Sequence, residues 1–307
     1  MADLMTRSLT LGTRPSQLAR WQTDYVARRL RSFWPDITYR TLTFTTTGDR
    51  TLDKPLPEIG GKGVFTEELE RALQWGEIDL AVHSLKDLPI DDTDGLTIGA
   101  VSVREDARDV VISRHDWTLD RLPHGARVGT SSLRRSAQLR AARPDLTLLP
   151  LRGNVDTRIR KALQGDYDAI VLAAAGVLRL GLGEHITKYM PFEVMLPAPG
   201  QGALAVQCRA DDAATRELLA AIDDQASRVA VTAERAFLDA LGGGCSAPVA
   251  AYAECGMQNA ECRMTGLVAS LNGQHVIRVS GIGTDPTVLG RQLAQQALAQ
   301  GAGEFLR

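Results

Sequence analysis

Three glycines precede Cys245 in LGGGCSAPVA, residues 241–250, and Pro248 follows it. Glycines free the backbone for positive φ and for close approach to another group. Such a loop presents one sulfur with little side-chain bulk around it, and a thiolate there can act as a nucleophile or as a covalent attachment point. Acyl transfer would also require a histidine at the sulfur, and nothing in the sequence places one of the five histidines there. Cys208, Cys255 and Cys262 lie in strand-like segments or at their ends and read as small inert hydrophobes. No C-x-x-C pair occurs, so neither a disulfide framework nor a zinc site is expected.

The stretch Arg127 to Ala162 holds eight arginines and one lysine against Asp145 and Asp156. The whole chain has a formal net charge of -2, so this excess is local. The arginine fork matches carboxylate or phosphate oxygens in pairs. These residues cluster where strands give way to helices. GTSSLRR, residues 129–135, offers Thr130 or Ser131 as a helix cap, and LRGNVDTR, residues 151–158, offers Asn154. GTRPSQLA, residues 12–19, offers Thr13 or Ser16. Backbone N–H groups at a helix start attract anions. Three such turns, each beside an arginine, read as sockets for a polyanionic ligand.

HSLKDLP, residues 83–89, follows the apolar run IDLAV. Open α/β sheets place their sites at the carboxyl ends of strands, so Asp87 can face a developing cation there. A turn closed by Lys86 and Asp87 is the competing structural reading. GGKGVF, residues 60–65, carries Lys62 on a glycine-rich loop, but Gly63 stands where a nucleotide P-loop needs Ser or Thr.

These side chains need a scaffold, and 307 residues suffice for two or three domains. Hydrophobic residues make up 44% and charged residues 23%, as in ordinary soluble proteins. Aromatic content is 5% and the balance is slightly acidic, which argues against a nucleic-acid partner. Ile170–Leu178 is the longest apolar run and is too short to span a bilayer. The first residues lack the apolar core of a signal peptide. A cytoplasmic location without a membrane partner is expected.

Residues 8–207 alternate strand-like segments (SLTLG, YRTLTFTTT, IDLAVH, LTIGAVS, DVVIS, RVGTS, LTLLPL, DAIVLAA, ALAVQC) with helical ones, which predicts α/β architecture with largely parallel sheets. Leu18, Trp21 and Tyr25, then Val26, Leu30 and Phe33, set the helical period of the first helix. PVAAYAEC, ECRMTGLVAS and HVIRVSGIG follow one another as strands, with Asn272-Gly273 as a hairpin signal and Pro286 opening a last helix. This end of the chain reads as a small α+β domain with an antiparallel sheet.

The segments GTRPSQLA, GKGVF, AVHSLKDLP, GTSSLRR, LRGNVDTR, AAAGVLRLG, PAPGQGALAVQCR and LGGGCSAPV together resemble the porphobilinogen deaminase family, in family order from residue 12 to 249. The resemblance implies two α/β domains like those of periplasmic binding proteins plus a small C-terminal α+β domain. The implied division is residues 1–102 with 200–220, residues 103–199, and residues 221–307. It also implies a monomer with a dipyrromethane cofactor on Cys245 through a thioether, porphobilinogen as substrate, hydroxymethylbilane as product and no metal. Asp87 takes the catalytic role by matching the family's aspartate. Arg14, Ser16, Lys62, Ser84, Lys86, Thr130, Ser131, Arg134, Arg135, Arg152, Asn154, Arg158, Arg179 and Gln201 match the residues that receive the acetate and propionate groups of the pyrroles. Gln207 stands where glutamate is expected in many members, which puts an interdomain ion pair there in doubt. The alternative is a two-domain anion-binding protein without catalysis.

Overall fold

SLTLGT forms β1 (Ser8–Thr13), which is buried along its length after Ser8 because it lies inside a sheet and not at an edge. The structure is a computed structural model and describes residues 8–50, 63–242, 248–256 and 261–306, so Lys62 and Cys245 lie outside the described residues. The chain divides into two units, Met1–Arg104 with Ala203–Arg228, and Glu105–Gly202 with Val229–Arg307.

The sheet of the first unit has the order β2 (Thr38–Thr43), β1, β3 (Leu80–Ser84), β10 (Leu204–Arg209), β4 (Leu96–Val101). In the second unit the order is β7 (Thr147–Leu149), β6 (Arg127–Gly129), β8 (Ala169–Ala173), β5 (Asp109–Ile112), β9 (Lys188–Tyr189). Four of the five strands in each sheet run the same way, so the sheets are largely parallel as expected, with one antiparallel strand in each. β1 pairs in parallel with β2 and β3, and β6 with β7 and β8, but β10 and β5 run antiparallel to both their neighbours. The chain passes between the units near residues 104 and 202. β5 follows the first passage and β10 the second, so neither is bound by the helical crossover that makes two strands parallel.

In the first unit, α1 (Gln17–Phe33) is capped by Ser16, whose hydroxyl accepts from Ala19 N at 3.2 Å. It buries Ala19, Gln22, Thr23, Val26 and Leu30, while Phe33, at the helix end, stays exposed. The short α2 (Thr47–Arg50), α3 (Glu67–Gln74) and α7 (Ala213–Ala220) complete its described helices. In the second unit α4 (Leu133–Ala142), α5 (Val155–Gln164) and α6 (Ala174–Arg179) follow β6, β7 and β8 in turn. Among the described residues no helix is long and apolar enough to cross a membrane.

The third sheet is an antiparallel meander of β11 (Val249–Cys255), β12 (Cys262–Ala269) and β13 (Val276–Gly283), with α8 (Gln225–Ala240) and α9 (Pro286–Ala299). Phe237 of α8 is fully buried in this core, a burial that stabilises by about 3 kcal/mol. Its ring lies so close to β12 that a Cβ on Gly266 would sit 2.5 Å from it, hence the glycine. Asn272 and Gly273 lie in a six-residue loop between Ala269 and Val276, longer than the two-residue turn their pairing suggests.

Cys255 and Cys262 are disulfide-bonded, which corrects their reading as inert hydrophobes. They are register partners across β11 and β12. Their spacing of seven has no motif value until the hairpin brings them together. Cys208 is free and fully buried, and burial pushes its thiol up to about 11.

Candidate anion-binding and catalytic site

Arg14 stands just beyond β1, and Ser84 closes β3, at the same end of two parallel strands. The Arg14 guanidinium donates to Asp49 through Nε, at 3.1 Å, and through Nη2. It also lies 4.3 Å from the centre of the Phe65 ring. Partial burial works to raise the Asp49 pKa, but the Arg14 contact and hydrogen bonds from Thr46 win and hold it below its ordinary value. Ser16 is engaged as the cap of α1, and Ser84 Oγ accepts from Gln22 Nε2 at 2.8 Å.

Past Ser84 the chain makes a single turn, Leu85–Asp87. Leu85 and Leu88 are buried, and Leu85 N donates to Ala203 O at 3.1 Å. Two anchored leucines leave Asp87 between them exposed and Lys86 half-buried. Upstream, His83 is fully buried. Burial drives its pKa down to about 4, opposed by Gln207 and assisted by the Arg14 charge. Gln207 donates to Glu70 at 3.1 Å, within the first unit.

In the second unit GTSSLRR and LRGNVDTR are joined. Ser131 Oγ donates to Leu151 O and accepts from Leu151 N, each at 2.9 Å. The cap of α4 is Ser132, accepting from Arg135 N at 3.4 Å, and not Thr130 or Ser131. Thr130 instead accepts from Ser132 N at 3.3 Å. Asn154 occupies the cap position of α5 without a side-chain bond, so the first N–H groups of that helix keep no side-chain partner from it. Gly153 has φ +115, a conformation that glycine alone adopts easily, and its carbonyl accepts from Arg158 Nε at 2.6 Å. Beside it Arg152 Nη1 is buried with no hydrogen-bond partner among the described residues. A buried unpaired guanidinium nitrogen is costly unless an anion meets it.

Arg134, Arg135 and Gln201 converge on one carboxylate, Asp109, the first residue of β5. Asp109 Oδ2 accepts from Arg134 Nη1 at 2.7 Å. Asp109 Oδ1 accepts from Arg135 Nη2 at 2.7 Å and Nε at 3.1 Å, and from Gln201 Nε2 at 2.9 Å. Burial works to raise the Asp109 pKa, but the two arginines overcome it and hold the carboxyl far below the usual range. Arg179 is buried and donates to Gly202 O at 2.7 Å. Asp109 and Asp49 were not among the expected site residues. The one signal for Asp109 is a lone acid opening the apolar strand DVVI, whereas Asp49 in TTTGDR carries none.

Both mixed α/β sheets carry arginines at turns that follow their strands, and in the first unit Asp87 stands exposed on the turn after β3, an arrangement of the α/β class. Residues 9–217 match the family described as porphobilinogen deaminase, dipyromethane cofactor binding domain, and residues 229–299 match porphobilinogen deaminase, C-terminal domain. The chain belongs to the porphobilinogen deaminase family. The porphobilinogen deaminase of Brevibacillus brevis is 50% identical over 296 residues, covering 96% of each chain. That of Moorella thermoacetica is 50% identical and covers 97% of this chain and 96% of the relative. That of Geobacillus kaustophilus is 49% identical, covering 96% of each.

The residues fit the dipyrromethane that this domain type carries. Its ring substituents are carboxylates, and Arg152 Nη1 is a buried donor without a partner among the described residues.

Proposed function

We propose that this chain is a transferase that adds four porphobilinogen molecules stepwise to a covalently bound dipyrromethane, each with loss of ammonia, and then releases the linear tetrapyrrole hydroxymethylbilane by hydrolysis with water. The buried, unpartnered Arg152 Nη1, in a turn tied to GTSSLRR by Ser131, carries this reading. It is a donor held ready for a carboxylate, in a family whose substrate carries two kinds of carboxylate side chain. When bound, the dipyrromethane supplies the free pyrrole carbon on which the chain grows.

Cys245 holds the cofactor through a thioether. Arg134, Arg152 and Arg158 receive its carboxylates and those of the growing chain, with Thr130, Ser131, Arg135, Asn154, Arg179 and Gln201 shaping their turns. Arg14, Lys62, Ser84 and Lys86 orient incoming porphobilinogen, and Ser16 fixes the start of α1 behind Arg14. Asp87, exposed on its turn, faces the positive charge that develops on porphobilinogen as ammonia leaves. One preorganised group of this kind contributes about 3–4 kcal/mol of transition-state stabilisation. The working form is a cytoplasmic monomer that binds neither nucleic acid nor membrane. Its functional division is residues 1–102 with 200–220, 103–199, and 221–307.

Intact mass of the denatured protein tests this, with wild type beside Cys245→Ser. An added mass of two pyrrole units in wild type alone is expected. A bare polypeptide in both, from cells able to make porphobilinogen, overturns the reading in favour of a non-catalytic anion-binding protein.

A further inference from the structure

Asp109 is fully buried and shares one negative charge between two guanidinium groups that are themselves almost fully buried. The cluster therefore keeps one formal positive charge in excess. Uncompensated buried charge is strongly unfavourable, so a further anion is stabilised wherever an unused N–H of the cluster can be reached.

The unused N–H groups can be identified. Arg135 donates through Nε and Nη2 to Asp109 and through Nη1 to Val171 O at 3.2 Å, so every nitrogen is engaged. Arg134 donates only through Nη1, to Asp109 and to Leu196 O, both at 2.7 Å. Among the described residues its Nε and Nη2 meet no acceptor. Arg134 keeps 5% of its surface exposed. Asp109 and Val171 O thus engage all three nitrogens of Arg135, whereas the outer edge of Arg134, Nε and Nη2, is left without an acceptor among the described residues.

The same carboxylate holds the backbone around it. Gln201 Nε2 donates both to Asp109 and to Ala107 O, at 2.7 Å, tying the turn before β10 to the segment before β5. Gln138, one turn along α4, accepts from Leu196 N at 2.8 Å and donates to Leu196 O at 3.0 Å. The Arg134 guanidinium is therefore fixed from β5, from α4 and from the 196–202 segment together.

We propose that Asp109 is a positioning residue for cofactor loading: it aims Arg134 Nε and Nη2 at a carboxylate of the dipyrromethane and leaves one buried positive charge for that carboxylate to neutralise. Arg134 touches the ligand and Asp109 acts through it. This rests on the function proposed above.

The test compares wild type with Asp109→Glu and with Asp109→Asn/Arg135→Met. The glutamate keeps the charge but moves the carboxylate by one methylene. The double variant removes one charge of each sign and keeps the excess of one. At least one of the two is expected to fold, judged by circular dichroism and a cooperative thermal transition. In the folded variant the fraction of chains carrying the cofactor, read from intact mass, falls at least tenfold. In Asp109→Glu, kcat/KM of the loaded fraction falls about a hundredfold, mostly through KM, as expected for a group misplaced by about 1 Å. A wild-type loaded fraction and wild-type KM in either folded variant overturn the proposal, even with a lowered melting temperature. So does the failure of both to fold, which assigns Asp109 to the core alone. If wild type itself carries no added mass, it is the function reading that falls, and this proposal with it.

Discussion

Ser131 and Leu151 exchange two hydrogen bonds, hydroxyl to carbonyl and amide to hydroxyl, each at 2.9 Å. One small side chain thereby joins the turn that presents Arg134 and Arg135 to the turn that presents Arg152 and Arg158. Leu151 is buried, so its N–H has no water to turn to when the hydroxyl is removed. Ser131→Ala is expected to lower stability by about 1–2 kcal/mol and to raise KM for porphobilinogen more than it lowers kcat. Chemical denaturation and steady-state kinetics on one preparation check this. A stable variant with unchanged KM removes Ser131 from the positioning of these turns.

The role proposed for Asp87 bears on chemistry and hardly on folding. Its neighbours Leu85 and Leu88 carry the packing of the turn, while Asp87 itself is exposed. Asp87→Asn keeps the shape and removes the charge. The melting temperature and the bound-cofactor mass are expected to stay at wild-type values, with kcat lowered about 100- to 1,000-fold. Turnover near the wild-type rate reassigns the carboxylate that faces the developing cation.

Motifs at strand ends were readable because their chemistry is local. A serine before a helix, an arginine two residues on and a glycine at a tight turn declare themselves by spacing. Ser16 caps α1 in this way. Partners distant in sequence were not readable. Nothing in DVVIS says that Arg134 and Arg135, 25 and 26 positions on, will share Asp109. Nothing in TTTGDR says that Asp49 lies 35 positions from its partner Arg14. The direction of β5 and β10 was hidden for a similar reason: a buried apolar strand has the same composition whichever way it runs.

The Cys255–Cys262 bond gives a thiol count that can be checked directly. In denatured, unreduced holoprotein, Cys208 alone is expected to react with iodoacetamide if Cys245 holds the cofactor, and reduction adds two reactive sulfurs. Replacing both cysteines with serine is expected to cost on the order of 2 kcal/mol through the short loop they close. Three reactive thiols before reduction show that the pair is not bonded in the purified protein.

His83 makes stability depend on pH within a definite window. Its folded pKa, about 4, lies below the ordinary value of 6.5. The unfolded chain therefore binds a proton between these values that the folded chain does not. The stabilisation is full above pH 6.5 and is lost as pH falls toward 4. Between pH 7 and pH 5 the loss amounts to about 2 kcal/mol for this one group. His83→Gln removes the titration and should flatten the difference in unfolding free energy between those two pH values by that amount, with the other carboxylates and histidines common to both proteins. Urea denaturation of both at pH 7 and pH 5 decides it. An equal loss in wild type and variant means that His83 accepts its proton inside the fold and that its burial does not disfavour the charged ring.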